Sequence, residues 1–564
     1  MSRPSPFVFA RVPFLAVLAL SLSLWVPKAA AQLAGSLDNG FTLYKTAGDR
    51  VISVSPQPDG KIVFGGTFSQ IDGAPRSTLA RVNADGSLDT AFVPPIIESY
   101  NTRTDATITQ LNPFYVPAVF TTVVQNDGKI LVGGSFYFVN GVAGYGGLVR
   151  LNADGSLDTA FQAPRFSGNV FAIVPLANGE YLVGGDFSYV GSDQRNCLVL
   201  LKASGKVDLA FNAGVFAGTL SSNDAVSTFP TVASLAVQSD GKIIAGGIFT
   251  TVNGTSRRGL ARFRANGKLD KQFVADANFN PPSASGPATT SVDQVLSVAL
   301  QSDGKILVGG TFSDPKSGDP INSLVRLNTD GTFDTAFNPG GAGTEGLDDF
   351  GAPLDPTVKS IILESDGKIL IAGSFHKYND VNSIAIARLN VDGTLDPTFS
   401  VGNGSPGSGP GDDVLKLAIE PDGKLLAGGI FESVDGVARP LVARFNLVAD
   451  APPGVVVSIV ASSPNATRAG VKGVDVVTRA GGNLSAPLTV KYFTSGTAQP
   501  GIDYRKLTGA VTIPGGSSSA TIKVKPLADS PATGKVSVVV HLSDSAAYGV
   551  GSPGLARVRI NEGQ

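Results

Sequence analysis

The chain has 564 residues, of which 68 are glycine and 16% are charged, with a formal net charge of −2. That balance, with a pI of about 5.8, leaves no electrostatic footprint for nucleic acid. A single cysteine, Cys197, excludes an internal disulfide, so the fold must be held by packing.

Residues 1–31 read as a secretory signal peptide. Arg3 and Arg11 form a positive leader, Val12 to Val26 is an apolar run too short to span a bilayer comfortably, and Ala29-Ala30-Ala31 offers a small-residue cleavage site before Gln32. No second long apolar run follows, so the mature chain is expected to have no membrane span and to act outside the cytoplasm: in the periplasm, at the cell surface or in the medium. Its thiol, Cys197, lies in an apolar run and reads as buried and inert.

From residue 32 to 449 one motif, V-x₇-D-G-K-I-L-V-G-G-x-F, occurs seven times. Its turn residues are Asp59, Asp127, Asn178, Asp240, Asp303, Asp366 and Asp422. A Val stands eight residues before each turn residue (Val51 in the first copy) and a Phe nine after it (Phe68). Units of this kind must bury their apolar faces against neighbours, which makes a solenoid or a propeller. In the fifth copy Val295–Leu300 reads as a strand, and Ser302-Asp303-Gly304-Lys305 as a hairpin turn of type I′. Lys305–Phe312 reads as a second strand and Asn322–Leu327 as a third. The second strand is apolar on both faces, as blades stacked face to face require. Paired glycines such as Gly65-Gly66 suit a place where a neighbouring backbone comes close.

Each unit ends in G-x-[LVF]-D-x-x-F, for example Asp89 and Phe92, but the seventh breaks off after Arg444-Phe445-Asn446. The missing element stands at the other end of the region, as Gly35-Ser-Leu-Asp38-Asn-Gly-Phe41. A half-repeat that completes the last unit closes a ring and removes its sheet edges, which a linear array does not need. The expectation is a seven-bladed β-propeller over residues 32–449.

The run "DGKILVGGTF…LVRLNADGSLDTAF" resembles the delta-60 repeat family, β-propeller-like repeats common in exported bacterial proteins. The resemblance implies a propeller and extracytoplasmic placement, and no particular reaction.

After a linker at 450–454, residues 455–564 show about six strands separated by turn clusters, the pattern of an immunoglobulin-like β-sandwich. Gly496-Thr-Ala498 and Gly501-x-Asp503-Tyr504 resemble the Calx-β domain, whose members often bind Ca²⁺ through clustered carboxylates. Calcium is thus a family inference, and the residues do not support it. Ser495 takes one acidic position, Lys535 falls where the family tends to carry Glu, and the residual acids are Asp503 and Asp529. Asp503 reads as a turn former, and no metal is expected to bind.

Candidate chemistry is sparse. The turn Asn83-Ala-Asp85-Gly86 has part of a Ca²⁺-loop spacing, but Arg81 stands where the first ligand would be. Asp49, Asp293, Asp412 and Asp413, with Asp355 nearby, precede the first strands of contiguous blades. They form a candidate acidic arc on one ring face, for a cation or basic ligand. Only two histidines exist, His376 and His541, and no nucleophile elbow or phosphate loop is present. The reading is a non-catalytic exported scaffold that binds an extracellular protein or polysaccharide. A propeller glycan hydrolase or lyase using loop carboxylates is the alternative, and calcium-dependent adhesion through the C-terminal module a further, disfavoured one.

Overall fold

A computed structural model describes residues 34–43, 46–99, 116–218, 229–275, 294–312, 323–339, 341–347, 353–401, 413–434 and 437–447. In the C-terminal module it describes 455–561, with breaks at 482–483, 496, 529–534, 544, 546–547 and 551–554. The signal segment and the linker lie outside the described residues, which contain strands, turns and no helix.

Each repeat builds one antiparallel sheet. In the first, Thr46–Pro56 pairs with Ile62–Ile71, which pairs with Leu79–Val82. A bridge from Val82 to Leu88 adds the start of a fourth strand. The first strands of successive blades pack on one another, and the last, Asp413–Ile419, packs on Thr46–Pro56. These seven strands therefore surround the axis of a closed seven-bladed propeller. The seventh blade takes its outermost element from the N-terminus. Leu37 bridges Phe445, as Leu88 bridges Val82 in the first blade. The Asp38 N–H donates to Arg444 O at 2.8 Å.

The framing Val and Phe of every blade are buried. The Asp-Gly turns differ from the type I′ expectation. Gly304 alone has a positive φ (85°), and its N–H donates to Gln301 O at 2.9 Å, a type I turn closed by a left-handed glycine. The Asp303 carboxylate accepts the Lys305 N–H and favours this form over type I′. The glycine pairs divide their work. A Cβ at Gly133 would stand 2.7 Å from the framing Val170 of the next blade, whereas one at Gly134 would strike the Ala118 carbonyl of its own first strand.

The residue just before each third strand is left-handed in all seven blades: Thr78, Gly147, Cys197, Gly259, Ser323, Ala385 and Leu441. Its N–H donates to the carbonyl of the framing Phe, and its carbonyl accepts from the second glycine of the pair. Two backbone bonds therefore hold five non-glycine residues in a conformation that costs about 1 kcal/mol or more each. At Cys197 the thiol also donates to Pro230 O of the next blade at 3.0 Å, and burial pushes its pKa far up, which makes it inert.

Charge joins blade to blade. Asp89 accepts from Arg81 Nε at 2.7 Å and Lys61 Nζ at 2.9 Å. The Arg81 guanidinium lies 4.5 Å from the Phe92 ring centroid and donates through Nη1 to Ala153 O of the next blade at 2.6 Å. The same arginine bonds recur at Arg150, Arg262, Arg326, Arg388 and Arg444, but in the fourth blade Lys242 pairs with Asp240 rather than with Asp270. Arg444 pairs with Asp38 and reaches Ala84 O of the first blade. The third blade alone has an apolar residue, Leu200, at this position.

The C-terminal module is a β-sandwich. One sheet orders Ser519–Val524, Gly473–Ala480, Val456–Ser463 and Gly549–Val550. The other orders Asn465–Thr467, Leu555–Asn561, Val536–Leu542, Leu488–Ser495 and Ala510–Ile513. The long strand Gly473–Ala480 escaped the sequence reading because Gly473, Asp475 and Arg479 interrupt its inward face.

Two outcomes test this description. Asp38→Asn is expected to cost about 3 kcal/mol by removing the buried carboxylate that Arg444 and Lys424 share, and to speed amide exchange across the Leu37–Phe445 bridge. The internal counterpart Asp158→Asn should cost as much yet leave that bridge protected, as hydrogen exchange would read. Glu420 sits where the first blade has Gln57, and burial raises its carboxyl from 4.5 to about 7 against the nearby Arg444. The folded state therefore holds this proton more strongly than the unfolded one. Stability falls as pH rises from about 4.5 through about 7. Glu420→Gln should then stabilise the ring by about 1–2 kcal/mol at pH 8 and by little at pH 4, measured by urea denaturation.

Candidate functional site

Each first strand carries a β-bulge immediately after its framing Val. Val51 pairs with Gly66 and Ser53 with Gly65, so Ile52 is the extra residue. The equivalents are Phe120, Phe171, Ala233, Leu296, Lys359 and Leu415. A bulge re-aims its side chain, and all seven residues are half-exposed on the innermost strands. Together they form a collar around the axis, six apolar residues and one lysine. Neighbouring members touch: the rings of Phe120 and Phe171 stack with centroids 4.8 Å apart.

Lys359 forms an ion pair with Asp413 of the seventh blade. Burial, together with Arg50, pulls the Lys359 ammonium down to about 8, while the carboxylate beside it pulls the other way. It is charged at neutral pH. Asp413 is 7% exposed, and its Oδ1 has no hydrogen-bond partner among the described residues. Two residues beyond the seventh framing Val stands Lys416. In four blades a serine there accepts an N–H from the next blade, as Ser53 does from Thr122 and Ser360 from Leu417. Lys416 has open surface, yet protein closely surrounds its ammonium and pulls its pKa down. Those two facts agree if the side chain looks into an enclosed axial space.

The acidic arc is only partly described. Asp413 is drawn inward to Lys359, so its charge is neutralised rather than presented to a cation or basic ligand. Asp293 and Asp412 lie outside the described residues, as does the side chain of Asp49, and Asp355 is half-buried in its loop. Sequence reasoning missed Lys359, Lys416 and Arg50. The available signal was a lysine at a position that is apolar in every other copy.

The Asp85 turn is structural: its carboxylate accepts from the Ser87 N–H and hydroxyl at 2.9 and 2.6 Å. In the sandwich, Asp503 Oδ2 accepts the Gln499 N–H at 2.8 Å and closes a tight turn, while Asp529 lies outside the described residues. The described donors there do not fit the oxygen-rich shell that calcium needs. No group of three or more His, Cys, Asp or Glu side chains gathers among the described residues.

Seven stretches, residues 57–92, 125–161, 176–211, 238–273, 301–337, 364–399 and 420–448, match a family model described as "Domain of unknown function (DUF5122) beta-propeller". Similar solved structures include the apo form of the Calx CBD1 domain, at 21% identity over 19% of this chain and 98% of that one, with a TM-score of 0.17. The Calx CBD2 domain is 20% identical over 19% and 87%, with a TM-score of 0.16. CBD12 from CALX1.2 is 22% identical over 19% and 44%, also with a TM-score of 0.16. No curated protein matches the chain.

The Lys359–Asp413 pair has its own test. Lys359→Met should destabilise the ring by about 3 kcal/mol at pH 7, since it strands a buried carboxylate. Adding Asp413→Asn should return most of that loss. Equal loss in the single and double variants, by urea denaturation, would show that the pair does not couple.

Proposed function

We propose that this chain of seven DUF5122 propeller repeats is an exported, non-catalytic binding scaffold. Its target is a polysaccharide or protein outside the cytoplasm. One observation carries the reading: the arginine–aspartate charges that recur from blade to blade join the blades, whereas a small set of charges that do not recur stands on the innermost strands around the axis. Arg81, Asp89 and Lys61 are engaged with one another and with a neighbouring carbonyl, as are their counterparts in the second, fifth, sixth and seventh blades. Lys359, Asp413, Lys416 and Arg50 belong to the sixth, seventh and first blades alone. A rigid symmetric frame with a locally distinct interior suits recognition. The apolar leader before Gln32 and the lone, inert Cys197 suit an exported protein that needs no disulfide.

The test has two parts. A reporter enzyme active only outside the cytoplasm, fused after residue 40, should become active, and retention inside the cell would refute export. The purified protein, applied to glycan and extracellular-protein arrays, should bind a ligand saturably and leave it intact. Release of new reducing ends or unsaturated sugars would instead show a hydrolase or lyase.

A further inference from the structure

In a ring of seven, the sixth blade lies across the axis from the junction of the second and third. Lys359 therefore faces the stacked pair Phe120 and Phe171 across the collar. Arg50 and Asp413 precede the collar residues of their strands by two positions, and Lys416 follows Leu415 by one. At about 3.3 Å of rise per residue these groups fall within about 10 Å along the axis. Among the described side chains of that sector, Arg50, Lys359 and Lys416 are cations and Asp413 is the carboxylate. Lys359 answers Asp413, and no described carboxylate pairs with Arg50 or Lys416. Asp413 Oδ1 is buried and lacks a donor among the described residues, a state that costs about 1–3 kcal/mol unless something supplies one.

We propose that the axial collar is a binding site for a small hydroxylated carboxylate, a sugar acid. The ligand carboxylate lies between Arg50 and Lys416, where charge-assisted hydrogen bonds are strongest. A ligand hydroxyl donates to Asp413 Oδ1 and satisfies it. The apolar C–H groups of the sugar pack against the half-exposed Phe120 and Phe171 side chains. An inorganic anion would use the cations but neither the orphaned acceptor nor the aromatic pair. A neutral sugar would bring no anion to Arg50 and Lys416. This inference rests on the scaffold reading and names a ligand class for it.

Calorimetry and ligand-observed NMR on the purified protein test it, with D-glucuronate as the probe and D-glucose and inorganic phosphate as comparisons. Glucuronate should bind saturably, with the other two at least tenfold weaker. The double variant Arg50→Gln/Lys416→Met removes two cations that no described carboxylate pairs and leaves the blade-joining bonds untouched. It should keep the melting temperature and lose at least tenfold in glucuronate affinity. Phe120→Ala should lower affinity for glucuronate without raising that for phosphate. Undetectable glucuronate binding, phosphate binding as tight as glucuronate, or unchanged affinity in the double variant would each overturn the proposal. Array binding of another ligand with no glucuronate bound would sink the sugar acid and leave the scaffold standing. Chemical conversion of bound glucuronate would leave the site standing and sink the scaffold reading.

Discussion

The ring depends on one contact: an arginine that holds an aspartate of its own blade and a carbonyl of the next. Arg81 joins Asp89, the Phe92 ring and Ala153 O in one side chain. A lysine could not do this, because the planar fork offers its donors in fixed directions while its face lies on the ring. Burial works against the Asp89 carboxylate, and the bonds from Lys61 and Arg81 outweigh it, holding its pKa below 3.8. The same balance holds at Asp38, Asp158, Asp334 and Asp396. Each of these contributes stability that is present above the unfolded value and lost as pH falls through the folded one.

Closure follows from that contact. Asp38 is separated from Arg444 by nearly the whole propeller in sequence, yet it meets Arg444 and Lys424 as Asp89 meets Arg81 and Lys61. The N-terminal half-repeat thus brings an ion-pair hub with it as well as a strand bridge. Leu200 marks the seam between the third and fourth blades as the one interface without the arginine. That seam relies on apolar packing, with Leu200 and Leu235 in one cluster, and on the Cys197 thiol bonded to Pro230 O. What the frame leaves over is the row of bulged residues on the innermost strands, half-exposed in every blade.

Much of the fold was legible in the residues. The Asp-Gly turns, the framing Val and Phe and the displaced Gly35–Phe41 element each have a local spacing, and repetition makes it readable. The left-handed position before each third strand was not legible, because only Gly147 and Gly259 advertise it and backbone bonds impose it on Thr78 and Leu441. Arg81 was read only as a cation that spoils a metal loop. Its partner Asp89 is eight residues away across a turn, and its second partner lies in another blade. The axial site was illegible for the same reason. Lys359, Asp413 and Arg50 are far apart in sequence, and only closing the circle sets them side by side.

By itself the sequence determined the blade: period, turns, strand faces and the need for a partner on both sides. These are local matters of hydrophobic alternation and φ preference, and they repeat too faithfully to be ambiguous. Only the tertiary structure decided which residues look inward and which charges cancel. A bulge turns one side chain per blade toward the axis, and seven such turns become a site only when the ring is closed. Lys359 is one lysine among many in the chain. Its meaning comes from the carboxylate of Asp413 beside it and the Phe120–Phe171 pair across the axis.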